Sequence, residues 1–430
     1  MNYKNAYFIP SHRILKDENL VDFSNEVYFA LKEKGSSIPF ILLDDTDENI
    51  NRDKISSIKQ EFQENEYFVV NKKHIKLIYD EISKALEDEH KEVFQSVYPD
   101  NVVNYGNTLN KMFILGAVMH CEAFHRRDSD ILMDTIGTTS QKVYPIGVEL
   151  DYLGSKVEGK TVYIVGSGYN GMRNIDFGEI IGNDIGLYKE YLDCLNMPEE
   201  YQAEKILDFK KENDEPYVED GISLNGSPEC GNVSFYKIFE YIPCSPVPYT
   251  LGTDYFTKEI VNQANLALVY HKRNVIHKHT KCRYDSHLKV FNYIKGIASF
   301  VDTMCFYSDF FPNMQNEMIQ NKCFENKLQE LNDTLVGYYS VKIDSLDTHT
   351  GIRRQSFKRF IALLKKSKNQ QFSDAADELM DQQEEIFRHT NDLLTKHVAL
   401  IKAWPYIMQA AKKAGDTSQV HDILQTAKIV

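Results

Sequence analysis

The chain has 430 residues, of which 42% are hydrophobic and 12% aromatic, enough to bury a substantial core in one large or two ordinary domains. Its net charge of −14 argues against a general nucleic-acid binder, which carries a basic face. An anionic substrate is not excluded, because a bound metal and a few local cations reverse the sign inside one cleft. No apolar run reaches the roughly 18 residues of a membrane span, and Met1-Asn2-Tyr3-Lys4-Asn5 lacks the apolar stretch of a signal peptide. The seven cysteines are scattered and never spaced C-x-x-C, a pattern that predicts reduced thiols in a cytoplasmic protein, with no disulfide framework and no zinc site.

In chain order, residues 6–10 (AYFIP) read as a buried strand stopped by proline, and 18–34 have helical spacing. Residues 38–43 (IPFILL) predict a second strand that runs into Asp44, Asp45 and Asp47. Residues 54–62 predict a helix, 67–70 (YFVV) a third strand and 73–86 another helix. Such alternation predicts a mostly parallel sheet with flanking helices, whose ligands bind at the carboxyl ends of the strands. Pro10, Ser11 and Arg13 fall on that edge, opposite Asp44, Asp45 and Asp47.

Asn104 to Asn107 form a turn and helix cap leading into a helix over 108–121. Residues 143–152 and 160–165 (KTVYIV) predict further strands, 187–220 a polar, partly helical insertion, and 221–232 a loop. From 284 onward glycine and proline become rare, and apolar residues recur three and four apart. That predicts an all-α domain over 285–430 behind an α/β domain over 1–284.

Two carboxylates one residue apart, Asp128 and Asp130 in Arg126-Arg127-Asp128-Ser129-Asp130, project toward one opening when the backbone is extended or turning, and hard oxygen ligands suit Mg²⁺ or Mn²⁺. The flanking cations Arg126 and Arg127 favour a site over a solvated face. His277 and His279, two apart on a strand, share a face; one imidazole completes a metal shell and the other reaches phosphate. Lys281 and Arg283 follow in position to clamp phosphate. Gly166-Ser167-Gly168-Tyr169-Asn170-Gly171 spells G-x-G-x-x-G after a strand, but the next twenty residues supply neither a long helix nor a second buried strand. It reads as a tight glycine loop and not a dinucleotide fingerprint.

The order of these segments resembles the GT-A-fold nucleotide-sugar glycosyltransferases over about residues 5–284. The likeness rests on IPSHR at the end of a first strand and LLDDTDEN at the end of a second. It continues through Asn104, Gly106 and Asn110 before a helix, the D-x-D at 128–130, Thr253-Asp254-Tyr255-Phe256 before another helix, and a strand ending in His277-Lys278-His279. The resemblance implies a GT-A (Rossmann-like), mostly parallel sheet and an enzyme that moves a sugar, hexosyl or N-acetylhexosaminyl, from a nucleotide sugar, with UDP favoured, to an unidentified acceptor. It implies Mn²⁺ or Mg²⁺ on Asp128, Asp130, His277 and His279. The donor would meet Pro10, Ser11, Arg13, Asp44, Asp45, Asp47, Asn110, Arg127, Asp128 and Arg283, with Asp254 as general base. Where the family carries a hydrophobic strand before the D-x-D, this chain has Phe124-His125-Arg126-Arg127. Gly-Thr-Asp before an apolar run is also a helix-capping pattern. Two other classes remain open. One is a non-catalytic nucleotide-sugar-binding or interaction protein with a helical, partner-binding tail. The other is a nucleotidyltransferase, for which Ser11-His12-Arg13-Ile14 lacks the expected glycine-rich loop. The apolar stripe of the tail also allows a homodimer.

Overall fold

The computed structural model describes residues 3–46, 49–97, 104–135, 140–171, 175–182, 184–210, 221–224, 226–246, 251–278, 286–319, 322–344, 346 and 350–430. Strand β1 (Asn5–Ser11), helix α1 (Asp17–Lys34), β2 (Phe40–Asp44), α2 (Ile50–Lys59), β3 (Tyr67–Asn71) and α3 (Lys72–Lys84) alternate as the sequence predicts. Helices α4 (Asp88–Val97) and α5 (Tyr105–Val118) lead to β4 (Ala123–Arg127) and the short β5 (Ile131–Met133). Next come α6 (Ile146–Tyr152), β6 (Lys156–Val157), β7 (Lys160–Gly166) and β8 (Tyr169–Gly171). Helices α7 (Phe177–Ile181), α8 (Ile185–Cys194) and α9 (Glu199–Lys210) precede β9 (Ile222–Ser223), β10 (Asn232–Tyr236), α10 (Phe256–Gln263), β11 (Ala267–His271) and β12 (Val275–His277). The remainder is helical: α11 (His287–Met314), α12 (Leu328–Asp344), α13 (Thr350–Leu364), α14 (Gln370–Asp381), α15 (Gln383–Gly415) and α16 (Ser418–Ala427).

One expected strand is a helix. Residues 146–152 form α6, with Pro145 at its N-cap and Glu149 on its buried side. A short apolar run satisfies strand and helix periodicity equally. Here the preceding proline, with its φ of −52°, sets the first helical turn.

The main sheet runs β3-β2-β1-β4-β10-β7-β11-β9, with β6 on β7. Strands β3, β2, β1 and β4 are mutually parallel, as are β7 and β11, and β10 runs antiparallel between β4 and β7. The fold is therefore α/β, a mixed and mostly parallel sheet flanked by helices and followed by a helical region. The chain steps outward from β1 through β2 to β3 and then returns to place β4 on the other side of β1. That reversal opens a crevice beyond the carboxyl ends of β1 and β4, where open α/β sheets bind ligands.

Strand alternation sorts the core. Ala6 and Phe8 face a cluster with Phe113, Phe124, Phe235 and Trp404, while Tyr7 and Ile9 face Leu20, Phe23 and Val27 of α1. Helix α15 is part of the first cluster. Its Trp404 Nε1 donates to the Phe239 carbonyl at 2.8 Å, so the helices after 284 share a core with the sheet. A second core joins α7 and α8 to α11, α13 and α14. The chain end pairs with the outer strand: Ile429 N donates to the Tyr67 carbonyl at 2.8 Å, which covers part of the edge of β3. No described helix is long and apolar enough to cross a membrane.

Candidate functional site

The crevice is lined from both sides. In register, Ser11 of β1 lies beside Asp44 of β2, and Asp44 beside Asn71 of β3. Arg13, just past β1, reaches across to the segment following β4, where its Nη1 lies 3.1 Å from Asp130 Oδ2.

A small three-stranded sheet, β5-β12-β8, closes the site over the D-x-D. Strand β12 pairs antiparallel with β5, which sets His277 opposite Ile131, and parallel with β8, which sets His277 opposite Gly171. One ligand atom from each of Asp128, Asp130 and His277 lies within 4.8 Å of the others. His277 is buried, with its Nε2 3.5 Å from Asp130 Oδ1. Two carboxylates and one imidazole form a mixed oxygen and nitrogen donor set that fits Mn²⁺ and, with more of its shell left to water or phosphate, Mg²⁺. The residues present therefore fit a single divalent cation. His279 and Arg283, with Lys281 between them, lie outside the described residues, as does Asp47.

Alternation along β4 separates the two arginines. Arg126 points to the site: its Nε and Nη2 donate to Asp128 Oδ1 at 3.2 and 2.9 Å, and its Nη1 donates to Asp254 Oδ2 at 2.8 Å. Burial alone would weaken this cation, but the flanking Asp128 and Asp254 carboxylates hold its pKa well above the ordinary value. Arg127 points to the opposite face, wholly buried against Glu26 at 2.7 Å and Glu149 at 2.9 Å. Its expected donor contact is thus corrected: it pins β4 to α1 and α6. His125, on the same face, shares Glu149 at 2.8 Å. Burial would raise the Glu149 carboxyl, but Arg127 and His125 outweigh it and hold the group far below the usual carboxylate range.

Asp254 sits in a one-turn 3-10 helix, Thr253–Tyr255, entered through Gly252 at φ +74°. The N-cap of α10 is Tyr255 and makes no side-chain cap bond, so the Asp254 carboxylate goes to Arg126 and caps no helix. Asp254 is 6% exposed, which leaves little room for solvent at the carboxylate. The Thr253 hydroxyl accepts from Gly106 N at 3.0 Å, tying this turn to the start of α5.

Asn110 is a second correction. It is fully buried, with Nδ2 donating to the Cys244 carbonyl at 2.9 Å and Oδ1 accepting from Cys244 N at 2.7 Å. Asn104 likewise donates to the Pro246 carbonyl at 2.8 Å. The N-x-G-x-x-x-N segment thus grips the backbone of Cys244 and Pro246 and the hydroxyl of Thr253. Asp44 is also engaged locally: its Oδ1 accepts from Thr46 N, Thr46 Oγ1 and Asn51 Nδ2 at 3.0, 2.7 and 3.1 Å. Asp45 pairs with Lys111 of α5 at 3.6 Å. Ser11 Oγ donates to the Arg13 carbonyl at 2.8 Å and holds the turn after Pro10. Beside the cation cluster lies a cleft lined by Arg13, Lys16, Asp130 and Lys278.

Two residues escaped sequence reasoning. Tyr169, from the glycine loop, donates its hydroxyl to Asp128 Oδ2 at 3.0 Å and stacks on His277 with ring centroids 4.5 Å apart. Burial and the Asp128 charge push its phenol well above the ordinary value, so it remains a donor. Gly231, whose carbonyl accepts from Asp128 N at 2.9 Å, has no room for a side chain: a Cβ there would lie 2.1 Å from Asp128 Oδ2. The glycine spelling of 166–171 marked the loop, but its contribution to the site is the tyrosine.

The chain belongs to a family described as "Family of unknown function (DUF6271)", whose model matches residues 8–420. No curated protein matches it. Solved structures similar to it include a mycobacterial protein at 12% identity, covering 70% of this chain and 75% of that one, TM-score 0.38. Another is glucosyl-3-phosphoglycerate synthase from Mycobacterium tuberculosis in complex with Mn²⁺, uridine diphosphate and phosphoglyceric acid (13% identity, 70% and 78% covered, TM-score 0.37). A third is the mannosyltransferase PcManGT from Pyrobaculum calidifontis in complex with GDP-Man and Mn²⁺ (9% identity, 93% and 86% covered, TM-score 0.36). At these scores the likeness is too loose to transfer a property to this chain.

Proposed function

We propose that the protein is a metal-dependent glycosyltransferase that uses a nucleotide sugar, with UDP favoured as the nucleotide. The observation that carries this reading is the convergence of His277, from a distant part of the chain, with Asp128 and Asp130 at the crevice between β1 and β4. Those three residues would hold Mn²⁺ or Mg²⁺. When bound, the cation supplies charge neutralisation to a departing diphosphate. Arg13, Lys16 and Lys278, along the adjoining cleft, add fixed positive charge for the same diphosphate. Arg126 orients Asp254 through one oxygen, which leaves the other oxygen as the candidate acceptor of a proton from the incoming hydroxyl.

The test is to incubate the full chain with Mn²⁺ and a panel of UDP- and GDP-sugars while following release of nucleoside diphosphate. Turnover of one donor that disappears on chelation and in Asp130→Ala is expected. Failure of every nucleotide sugar either to turn over or to bind calorimetrically in the presence of Mn²⁺ would refute the proposal.

A further inference from the structure

We infer that Tyr169 is the positioning residue of the cation cluster, its hydroxyl setting the Asp128 carboxylate and its ring setting the His277 imidazole, and that the glycine loop at 166–171 exists to present it. The inference deepens the metal-site reading and rests on it.

Asp128 follows β4 of the main sheet and His277 ends β12 of the small one; backbone pairing of β12 with β5 and a bond from Lys278 N to the Asp130 carbonyl at 3.1 Å bring the two segments together but do not set their side chains. The Tyr169 side chain touches both. Its hydroxyl lies 3.0 Å from Asp128 Oδ2, and its ring lies nearly parallel to the imidazole of His277, 10° between planes. A hydrogen bond to the carboxylate fixes which oxygen faces the cation, and a stacked ring fixes the plane of the imidazole and hence the direction of its nitrogen. Outer partners of this kind govern ligand orientation in metal sites, and their loss typically costs about 10–100-fold in affinity.

The loop is built for the task. Ser167 Oγ donates to the Arg273 carbonyl at 2.6 Å, and Gly168 N donates to Asn274 Oδ1 at 3.0 Å, which staples the loop to the approach of β12. Asn170 Nδ2 donates to Asp134 Oδ2 at 2.6 Å and ties it to the strand after the D-x-D. Gly171, at φ +89°, lets β8 end against His277: a Cβ there would fall 2.9 Å from the His277 carbonyl oxygen. Across the cluster, a Cβ on Gly231 would lie 1.9 Å from the Tyr169 hydroxyl, so glycine at 231 is what admits the tyrosine–aspartate bond.

The experiment is a Mn²⁺ titration of the full chain read from the electron paramagnetic resonance signal of free Mn²⁺, with thermal unfolding in chelator run alongside. Tyr169→Phe should weaken Mn²⁺ binding by roughly tenfold while its unfolding midpoint in chelator stays within a few degrees of wild type. Gly231→Ala, which displaces the same bond from the other side, should weaken binding in the same direction. Asp130→Ala should abolish saturable binding and mark the ligand-loss limit. Wild-type binding with affinities in Tyr169→Phe and Gly231→Ala unchanged within twofold would overturn the positioning role alone. Absence of saturable Mn²⁺ binding by the wild type would overturn the metal reading, and the role of Tyr169 with it.

Discussion

Arg126 and Arg127 are adjacent in sequence and opposite in task, because successive side chains of a strand leave on opposite faces. The sequence made the pair legible as cations beside a D-x-D, but nothing in Arg-Arg says which residue faces the crevice until β4 has a register. The consequence is measurable. Arg127→Met strands Glu26 and Glu149 without their cation in a fully buried place, which should cost about 3–5 kcal/mol in urea unfolding. Mn²⁺ affinity in the refolded variant should stay within twofold of wild type. Arg126→Met removes a positive charge that competes for Asp128, so Mn²⁺ should bind at least about tenfold tighter. Weaker Mn²⁺ binding in Arg126→Met would show that its orienting of Asp128 outweighs its competition. Type and spacing in the sequence name Asp128, Asp130 and His277 as candidate donors, and the structure brings their ligand atoms within 4.8 Å of one another. Tyr169 and Gly231 are not named this way, since a hydroxyl that orients a ligand and a glycine that makes room for it leave no spacing rule in the sequence.

At the scale of elements, the strands that read clearly are the long apolar ones, β1, β2, β3 and β7, whose burial on both faces makes a continuous hydrophobic run. Strands β5 and β8 have three residues each and no face pattern to detect, yet with β12 they assemble the cluster. The N-x-G-x-x-x-N segment shows the opposite case: Asn110, expected against the donor, has its side-chain amide bonded to the backbone of Cys244. Gly106 lies so close to Ser245 that a Cβ would sit 1.9 Å from the Ser245 carbonyl oxygen, and its own N–H is held by Thr253. Gly106→Ala must therefore push α5 away from the turn that carries Asp254. Overpacking of this kind should cost about 1–3 kcal/mol, seen as a lower urea midpoint. Turnover should fall further than donor binding if Asp254 serves the acceptor as proposed. Wild-type stability and rate in the Gly106→Ala variant would mean that the turn and helix part without consequence.

Over the whole molecule, the helical character of residues 285–430 was plain from its periodicity, but where those helices pack was not, because an apolar stripe does not name its partner. The structure sets the stripe of α15 against α5 and the platform below the crevice. There His397 lies wholly buried, its ring edge-on to Phe256, its Nε2 3.3 Å from the Pro243 carbonyl and its Nδ1 3.4 Å from the Tyr339 hydroxyl. Burial pushes its pKa down to about 3, so the folded chain keeps it neutral where an unfolded chain, at the ordinary 6.5, takes a proton. The unfolded state therefore binds more protons below about pH 6.5. This contribution to stability is complete above that pH and is lost as pH falls toward 3, at a slope approaching about 1.4 kcal/mol per pH unit. His74 and His389 are lowered in the same direction, again chiefly by burial, and contribute equally to a variant that retains them. His397→Gln keeps a neutral donor for the Pro243 carbonyl and removes the titration. Urea unfolding between about pH 6.5 and 5, above the range where carboxylates dominate, should show the wild type losing stability faster than the variant by up to about 1 kcal/mol per pH unit. Parallel profiles for the two proteins would mean that the ring takes up its proton in the folded state, and that α15 is looser against the sheet than its buried contacts require.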